Sequence, residues 1–193
     1  MIGEMPVRES SLAEGGEIEG VQLVKLKVNP DQRGSFTEVF QQHWDPAYKF
    51  VQFSFVQSEA NVMRGCHLHW NHDEYFCLTS GSASVGLRDE RPGSKTQDVW
   101  SLYNLYEDDL AALIFPRGLV HGWYFHEKST HLQGVTESYE NYGSYDNHRI
   151  YWLDPDLEIP WPSRKVKMTT LAEEAASLRE VRATNALVRH EYT

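Results

Sequence analysis

The chain contains 193 residues, of which 40% are hydrophobic and 24% are charged, a balance typical of one globular domain and not of a disordered or fibrous chain. Eighteen basic against 28 acidic residues give a formal charge of −10, which argues against broad binding to nucleic acid or to an anionic membrane. No apolar run approaches the roughly 20 residues that cross a bilayer, and the N-terminus does not resemble a signal peptide. We therefore expect a cytoplasmic protein without a membrane partner.

The first 20 residues are polar, rich in Glu and Gly, and without periodicity. They predict a flexible leader over 1–20, or an arm that needs a partner surface. From 21 to 165, short apolar and β-branched runs alternate with turn residues, as in the alternating run 24–28 and the turn 116–118. Many short strands separated by regular turns indicate an all-β sandwich or barrel over this stretch.

The pattern changes period only in the tail, over 166–193. The run 170–173 reads Thr-Leu-Ala-Glu, which resembles a capping box, and Ala175, Leu178 and Val181 have the spacing of one helical face. These features predict one C-terminal helix that packs against the barrel or against a neighbouring subunit.

The strongest local signal lies in 67–81, which reads His-x-His-x4-Glu-x6-Gly. On an extended strand His67 and His69 project to the same face, and Glu74 follows after a turn. A second segment places His121 just after a tight turn, on a strand that could lie opposite. Three imidazoles and one carboxylate suit a divalent transition metal such as Zn, Fe, Mn or Ni. We expect these four residues to bind such a metal, with no organic cofactor.

The other histidines, including His72, are interpreted as structural, because a lone histidine is more often a structural residue than a ligand. The two cysteines, Cys66 and Cys77, are too few for a disulfide framework and too far apart for a metal pair. Both are expected to be buried free thiols.

The His-x-His segment and the His121 segment are the two signature motifs of the cupin superfamily. Together with further segments they resemble the dTDP-4-dehydrorhamnose 3,5-epimerase family, over roughly residues 22–162. The match is most specific in the first half and in the closing Trp-x-Asp-Pro-Asp-Leu run. The segments that carry this resemblance are 31–38, 50–52, 62–67, 116–122 and 150–162.

The resemblance implies a double-stranded β-helix, or jelly roll, that forms a homodimer by exchanging N-terminal strands. It also implies a nucleotide-diphosphate sugar as substrate, with a 4-keto-6-deoxy sugar that is epimerised at C3, C5 or both. His67 would be the general base, and His121 would contact the sugar. The other substrate-binding positions that the resemblance implies are Arg33, Glu38, Gln52 and Arg64.

This sequence departs from the family pattern at three functional positions. The lysine that stabilises the enolate falls at Glu74, whose carboxylate would oppose the developing negative charge. The tyrosine acid falls near Gly134, so Tyr139, Tyr142 or Tyr145 would have to replace it, and Tyr139 is our first choice. The aspartate that orients the histidine has no clear counterpart, with Glu173 or Glu174 as candidates.

A bound metal would reconcile Glu74 with the chemistry, because it would polarise the ketone as a Lewis acid. A histidine that coordinates the metal cannot also take the proton, so His67 would then lose the base role to Tyr139 or to an uncoordinated His72. Two other functions stay open: a metal-dependent cupin of another class, such as an isomerase or a dioxygenase, and a non-catalytic sugar-binding cupin.

Overall fold

The computed structural model describes residues 8–44, 47–143 and 145–184, and this part of the chain is dominated by antiparallel strands. The strands are β1 (Ser11–Gly15), β2 (Gln22–Lys25), β3 (Val28–Asp31), β4 (Gly34–Thr37), β5 (Gln52–Ser58), β6 (Val62–Leu68), β7 (Glu74–Ser80), β8 (Ser82–Asp89), β9 (Trp100–Tyr106), β10 (Ala111–Phe115), β11 (Leu119–Phe125), β12 (Ser129–Val135) and β13 (His148–Arg149). The helices are α1 (Tyr139–Tyr142), α2 (Thr170–Glu173) and α3 (Leu178–Thr184), with one 3-10 turn at Pro155–Leu157. None of these helices is long and apolar enough to span a membrane.

Two antiparallel sheets form the barrel, and their inner faces share one apolar core. The larger sheet has the strand order β1-β9-β8-β11-β6-β13 and the smaller one the order β2-β10-β7-β12-β5. Phe76 and Leu113 from the smaller sheet pack with Val85 and Phe125 from the larger one. The alternating apolar pattern thus closes a two-sheet jelly roll, which confirms the predicted fold class. Strands β3 and β4 form a separate hairpin.

A second apolar cluster covers the outer face of the six-stranded sheet. Trp152, Trp161 and Leu178 from the C-terminal part of the chain pack there against Leu68 of β6. Gly86 makes this approach possible, because a Cβ at that position would lie 2.6 Å from the Trp161 ring. The closing run that the sequence singled out therefore has a packing role outside the barrel.

The described part of the tail forms two short helices instead of the one that was predicted. The helix that begins at Thr170 ends after four residues, and no side chain caps its N-terminus. The reciprocal capping pair is instead Ser177 and Glu180, whose side chains bond each other's backbone N–H. Leu178 and Val181, the two apolar positions of α3, are buried as expected. Residues 185–193 lie outside the described part.

The stretch that was expected to be a leader is partly built into the barrel. Strand β1 pairs with β9 of the same chain, and Ile18 is only 4% exposed in the central core. Strand β2 likewise pairs with β10 of the same chain. The flanking sequence is polar because these are edge segments with one face in water. Residues 1–7 lie outside the described part.

Candidate active site

A bulge in β6 turns the first histidine of the motif into the barrel. The register between β6 and β11 shifts at this point, since His121 pairs with His67 but Gly122 pairs with Gly65. Cys66 is the extra residue, and it packs with the outer cluster. Gly65 is required here, because its φ is +107° and a Cβ would lie 2.7 Å from the Gly122 Cα.

The bulge explains why Met63 and Leu68 face outward together although they are an odd number of residues apart. Without the extra residue, strict alternation from Met63 would turn His67 outward. With it, the ligand atoms of His67, His69 and His121 lie within 4.8 Å of one another. The prediction that these three imidazoles converge inside the barrel is confirmed.

Glu74 begins β7 and lies in the middle of this histidine group. Its Oε1 atom is 3.6 Å from Nε2 of His69, 3.4 Å from Nε2 of His72 and 3.9 Å from Nε2 of His121. Its other oxygen, Oε2, accepts a hydrogen bond of 3.1 Å from the Gln133 amide. The carboxylate expected to join the histidines is therefore present, and His72 joins them as well.

Asp146 ties the cluster together from a loop that the sequence analysis did not single out. Its carboxylate accepts hydrogen bonds from the backbone N–H groups of Trp70 and Asn71, at 2.6 Å and 2.9 Å, and from Nδ1 of His72 at 3.1 Å. Its carbonyl oxygen accepts a hydrogen bond from Nδ1 of His69. These bonds close the loop 69–73 around a buried acid, and they lower the pKa of Asp146 against the opposing effect of burial.

The histidines of the site differ in charge because their neighbours differ. Burial, assisted by Arg149, lowers the pKa of His67 to about 4. Burial lowers the pKa of His69 to about 4 as well, and it depresses that of His121. At His72 burial acts in the same direction, but hydrogen bonds to Asp146 and Glu74 outweigh it and raise the pKa to about 9. At neutral pH, His67 is therefore a neutral imidazole and a potential base.

A cavity of about 430 Å³ opens beside His67, at the edge of the six-stranded sheet. Three basic side chains line it, those of Arg64, Arg149 and Lys167, although the chain as a whole carries a charge of −10. Arg64 is held in place by hydrogen bonds to the Ser58 hydroxyl at 2.8 Å and to a backbone carbonyl at 3.0 Å. The α2 segment forms one wall. This local positive charge suits a diphosphate.

Several predicted substrate-binding residues do not line this cavity within one chain. Arg33 lies in the exposed β3–β4 hairpin, where it pairs with Asp31 at 2.6 Å. Glu38 lines a separate cavity beside β2. Gln52 accepts a hydrogen bond of 2.9 Å from the backbone N–H of Tyr139 and so anchors α1. Their assigned roles therefore stay predictions.

The tyrosine closest to the histidine group is Tyr142, not Tyr139. The Tyr142 ring stacks on His72 with a centroid separation of 4.1 Å and lies 5.8 Å from the His69 ring. Tyr139 is 58% exposed, and its ring contacts Tyr142. Gly134, where the tyrosine of the family pattern would fall, packs against Phe53.

The residues that line the cavity include no carboxylate that could orient His67. Leu171 and Ala172 occupy the α2 wall, whereas Glu173 lines a different cavity and Glu174 is exposed. Neither guess for the orienting acid is supported by these positions. The described site thus combines a neutral histidine, a basic groove and a buried histidine and carboxylate cluster.

A jelly roll with converging histidines inside and a basic groove at its edge defines an enzyme of the cupin type. The model of the dTDP-4-dehydrorhamnose 3,5-epimerase family matches residues 16–181. The chain therefore belongs to this family, and the expected class, a nucleotide-sugar epimerase among the isomerases, is confirmed.

Individual relatives agree with this assignment. The chain is 32% identical over 146 residues to the spore coat polysaccharide biosynthesis protein SpsL of Bacillus subtilis, covering 75% of this chain and 96% of that protein. It is 30% identical over 154 residues to the dTDP-4-dehydrorhamnose 3,5-epimerase of Escherichia coli, covering 76% and 82%. Among solved structures, dTDP-6-deoxy-D-glucose-3,5-epimerase from Legionella pneumophila in complex with dTDP-4-keto-L-rhamnose superposes with a TM-score of 0.79 at 25% identity, covering 88% and 93%.

Proposed function

We propose that this protein epimerises a 4-keto-6-deoxy sugar carried on a nucleotide diphosphate, with His67 as the base that removes the proton next to the ketone. The observation that carries the proposal is that His67, neutral at pH 7, lines the same cavity as three basic side chains. The complex of the Legionella relative with a keto-sugar nucleotide supports the substrate class.

The residues around the cavity would have different roles in such a reaction. Arg64, Arg149 and Lys167 would bind the diphosphate and place the sugar against the imidazole. His67 would accept the α-proton, since its lone pair is free at neutral pH. Tyr142 does not line this cavity, but it stacks on His72 in the neighbouring histidine group and would be the tyrosine that returns a proton; burial raises its pKa to about 12, which keeps the phenol protonated.

The proposal includes a homodimer, because two apolar surfaces face solvent in the single chain. Phe36 of the β3–β4 hairpin is 67% exposed; Val51, just before the edge strand β5, is 64% exposed, and Phe55, in the middle of that strand, is 66% exposed. Exposed apolar patches of this kind mark interaction sites. A partner that binds there, by exchange of N-terminal strands or by simple contact, would be close to Arg33 in the hairpin and to Glu38 directly after it. Light scattering after size exclusion should give twice the chain mass.

Solvent exchange tests the reaction directly. The purified protein is incubated in D2O with a dTDP-linked 4-keto-6-deoxyglucose, and incorporation of deuterium at C3 and C5 is followed by NMR. We expect exchange with the wild-type protein and a loss of about 10²- to 10⁴-fold in its rate for His67→Asn. His43→Asn, which changes an exposed histidine, is the matched control and should exchange at the wild-type rate.

A metal-dependent cupin reaction of another class is the second candidate, favoured by the buried histidine and carboxylate group. Consumption of oxygen with stoichiometric iron, and no deuterium in the sugar, would support it and contradict the epimerase proposal. Binding of the sugar nucleotide without exchange would instead support a non-catalytic sugar-binding cupin.

A further inference from the structure

The segment between Lys167 and Ala176 passes beside the substrate cavity and is fastened at both ends by backbone hydrogen bonds. At one end, the Lys167 N–H donates to the Asn61 carbonyl at 2.7 Å, and the Lys167 carbonyl accepts from the Met63 N–H at 3.0 Å. At the other end, the Ala176 carbonyl accepts a hydrogen bond of 2.8 Å from the Tyr151 N–H. The body of the protein therefore holds both ends of this segment in place.

The residues between these two ends, 168–175, form a strap along the cavity. The strap contains helix α2, whose N-terminus has no side-chain cap and whose backbone bonds run to the carbonyls of Thr169 and Thr170 in the strap itself. Its residues that line the same cavity as the proposed base are Met168, Thr169, Leu171 and Ala172. The strap is therefore one wall of the substrate cavity.

Leu171 is the most exposed apolar side chain of this cavity. It is 65% exposed, whereas Met63 is buried and Met168 packs against the outer apolar cluster. Most of the apolar surface of Leu171 is thus available to a bound molecule. Removal of such surface from water favours binding, and apolar walls with a few polar groups are typical of small-molecule sites.

The cations of the cavity all come from outside the strap. Arg64 belongs to β6, Arg149 belongs to β13, and Lys167 directly precedes the strap. The strap itself contributes apolar side chains to the cavity, with Thr169 as its polar exception. A molecule that fits this cavity should therefore combine an anionic part with an apolar part.

The substrate of the proposed function has both parts. Its diphosphate is anionic, and the C6 methyl group is the one substituent of the sugar ring that has no hydrogen-bonding atom. We infer that Leu171, together with Ala172, contacts this methyl group and makes the site select a 6-deoxy sugar over one with a hydroxyl at C6. The inference rests on the proposed function for the class of substrate. A C6 hydroxyl placed against Leu171 would lose its hydrogen bonds to water and gain none from this side chain.

Binding of unreactive sugar nucleotides tests this contact separately from catalysis. The compounds dTDP-6-deoxyglucose and dTDP-glucose differ only in the C6 oxygen, and neither has the ketone that proton removal requires. Titration calorimetry with the wild-type protein should give a Kd about 5- to 50-fold lower for the 6-deoxy compound. In Leu171→Asn this ratio should fall below about 2-fold, because the amide can form a hydrogen bond with the hydroxyl.

Three controls separate a sugar contact from a structural role of Leu171. The nucleotide dTDP has no sugar and should bind to the wild type and to Leu171→Asn with the same affinity. Leu171→Met keeps an apolar side chain and should keep the preference. Thr170→Asn introduces the same amide at the neighbouring position of α2, which does not line the cavity, and should also keep it. Circular dichroism and the Tm of each variant show whether it has folded.

The outcomes for the contact and for the reaction can be told apart. Equal affinity of the wild type for the two sugar nucleotides overturns the inference, and if deuterium exchange is still observed, the proposed function stands. A wild-type ratio in Leu171→Asn, or an equal loss of affinity for dTDP and for dTDP-6-deoxyglucose, also overturns the inference. A preference that Leu171→Asn abolishes supports the inference even if no exchange occurs. Failure of both sugar nucleotides to bind at millimolar concentration contradicts both proposals.

Discussion

The two ends of the barrel interior are built on the same strands but have opposite chemistry. Along β7 the inward positions pass from Glu74 to Phe76, and along β11 they pass from His121 to Trp123. Polar side chains thus converge at one end, whereas a close-packed aromatic core fills the other. In each of these two strands, one half packs in the apolar core and the other half carries a side chain of the polar cluster.

Two buried histidines show what this difference means for charge. His72, beside Glu74 and Asp146, has its pKa raised to about 9. His131 lies between the rings of Phe76 and Phe125 at the apolar end, where burial lowers its pKa to about 3. The same side chain is cationic at one end and neutral at the other, because carboxylate neighbours outweigh desolvation only where they are present.

The largest change in stability is expected when an aromatic ring is removed from the apolar end. Phe76→Ala removes a fully buried ring that packs on Trp123 and His131, and the free energy of unfolding should fall by about 3–5 kcal/mol. Urea denaturation measures it. Tyr145→Ala, at a position 90% exposed, is the control and should change stability by less than about 0.5 kcal/mol. Equal effects of the two changes would mean that the aromatic core is not the stabilising element.

At the polar end, Arg149→Met should weaken the diphosphate contact and raise KM about 10- to 100-fold, with a smaller change in kcat. Because Arg149 also lowers the pKa of His67, the acid limb of the pH–rate profile should move to higher pH in this variant. Arg8→Met is the control, because it removes one positive charge at the surface, where Arg8 pairs with Asp108 and Glu127. It should change neither KM nor the acid limb of the pH–rate profile. An unchanged KM in Arg149→Met would place the diphosphate elsewhere.

The smallest effect at neutral pH is expected at His131, whose two ring nitrogens have no hydrogen-bond partner. His131→Leu replaces an unpaired polar ring with an apolar side chain and should stabilise the protein by about 1 kcal/mol at pH 7.

Stability should depend less on pH in His131→Leu than in the wild type. The folded-state pKa of His131, about 3, lies below the ordinary value near 6.5, so the unfolded chain binds the extra proton between these pH values. This residue therefore costs stability as the pH falls from about 6.5 toward 3, by up to roughly 1.4 kcal/mol per pH unit. Thermal melts of wild type and His131→Leu at pH 7 and pH 5 should diverge on acidification. Parallel curves would show that His131 does not titrate on unfolding.

The motif spacing was enough to predict that His67, His69 and His121 share the interior, because strand alternation and the family pattern are both local in sequence. It could not predict that His72 lies in the same cluster, beside Glu74 and Asp146. An x-His-x position in a loop carries no periodicity, and the partner that orients it, Asp146, is 74 positions further along the chain. The sequence analysis preferred Tyr139 to Tyr142 and Tyr145, whereas the structure stacks Tyr142 on His72 and leaves Tyr139 58% exposed.

The structure of segments that pack at the edge or on the outer face of a sheet was also predicted wrongly. The polar stretch containing Ser11–Gly15 has no apolar pattern of its own, yet its backbone pairs with β9. In the tail, one helix was predicted from Thr170, but the structure has two short helices, and the second is the one with reciprocal capping bonds and with Leu178 packed in the outer cluster.

From the amino-acid pattern alone one can derive the all-β class, the family and the convergence of the three motif histidines, because periodicity and motif spacing act over a few neighbouring residues. The bulge at Cys66, the place of Asp146 and the position of His72 beside Glu74 depend on register between strands and on contacts across long loops. Those are decided by how the two sheets and the outer C-terminal segments pack together, which no local pattern encodes.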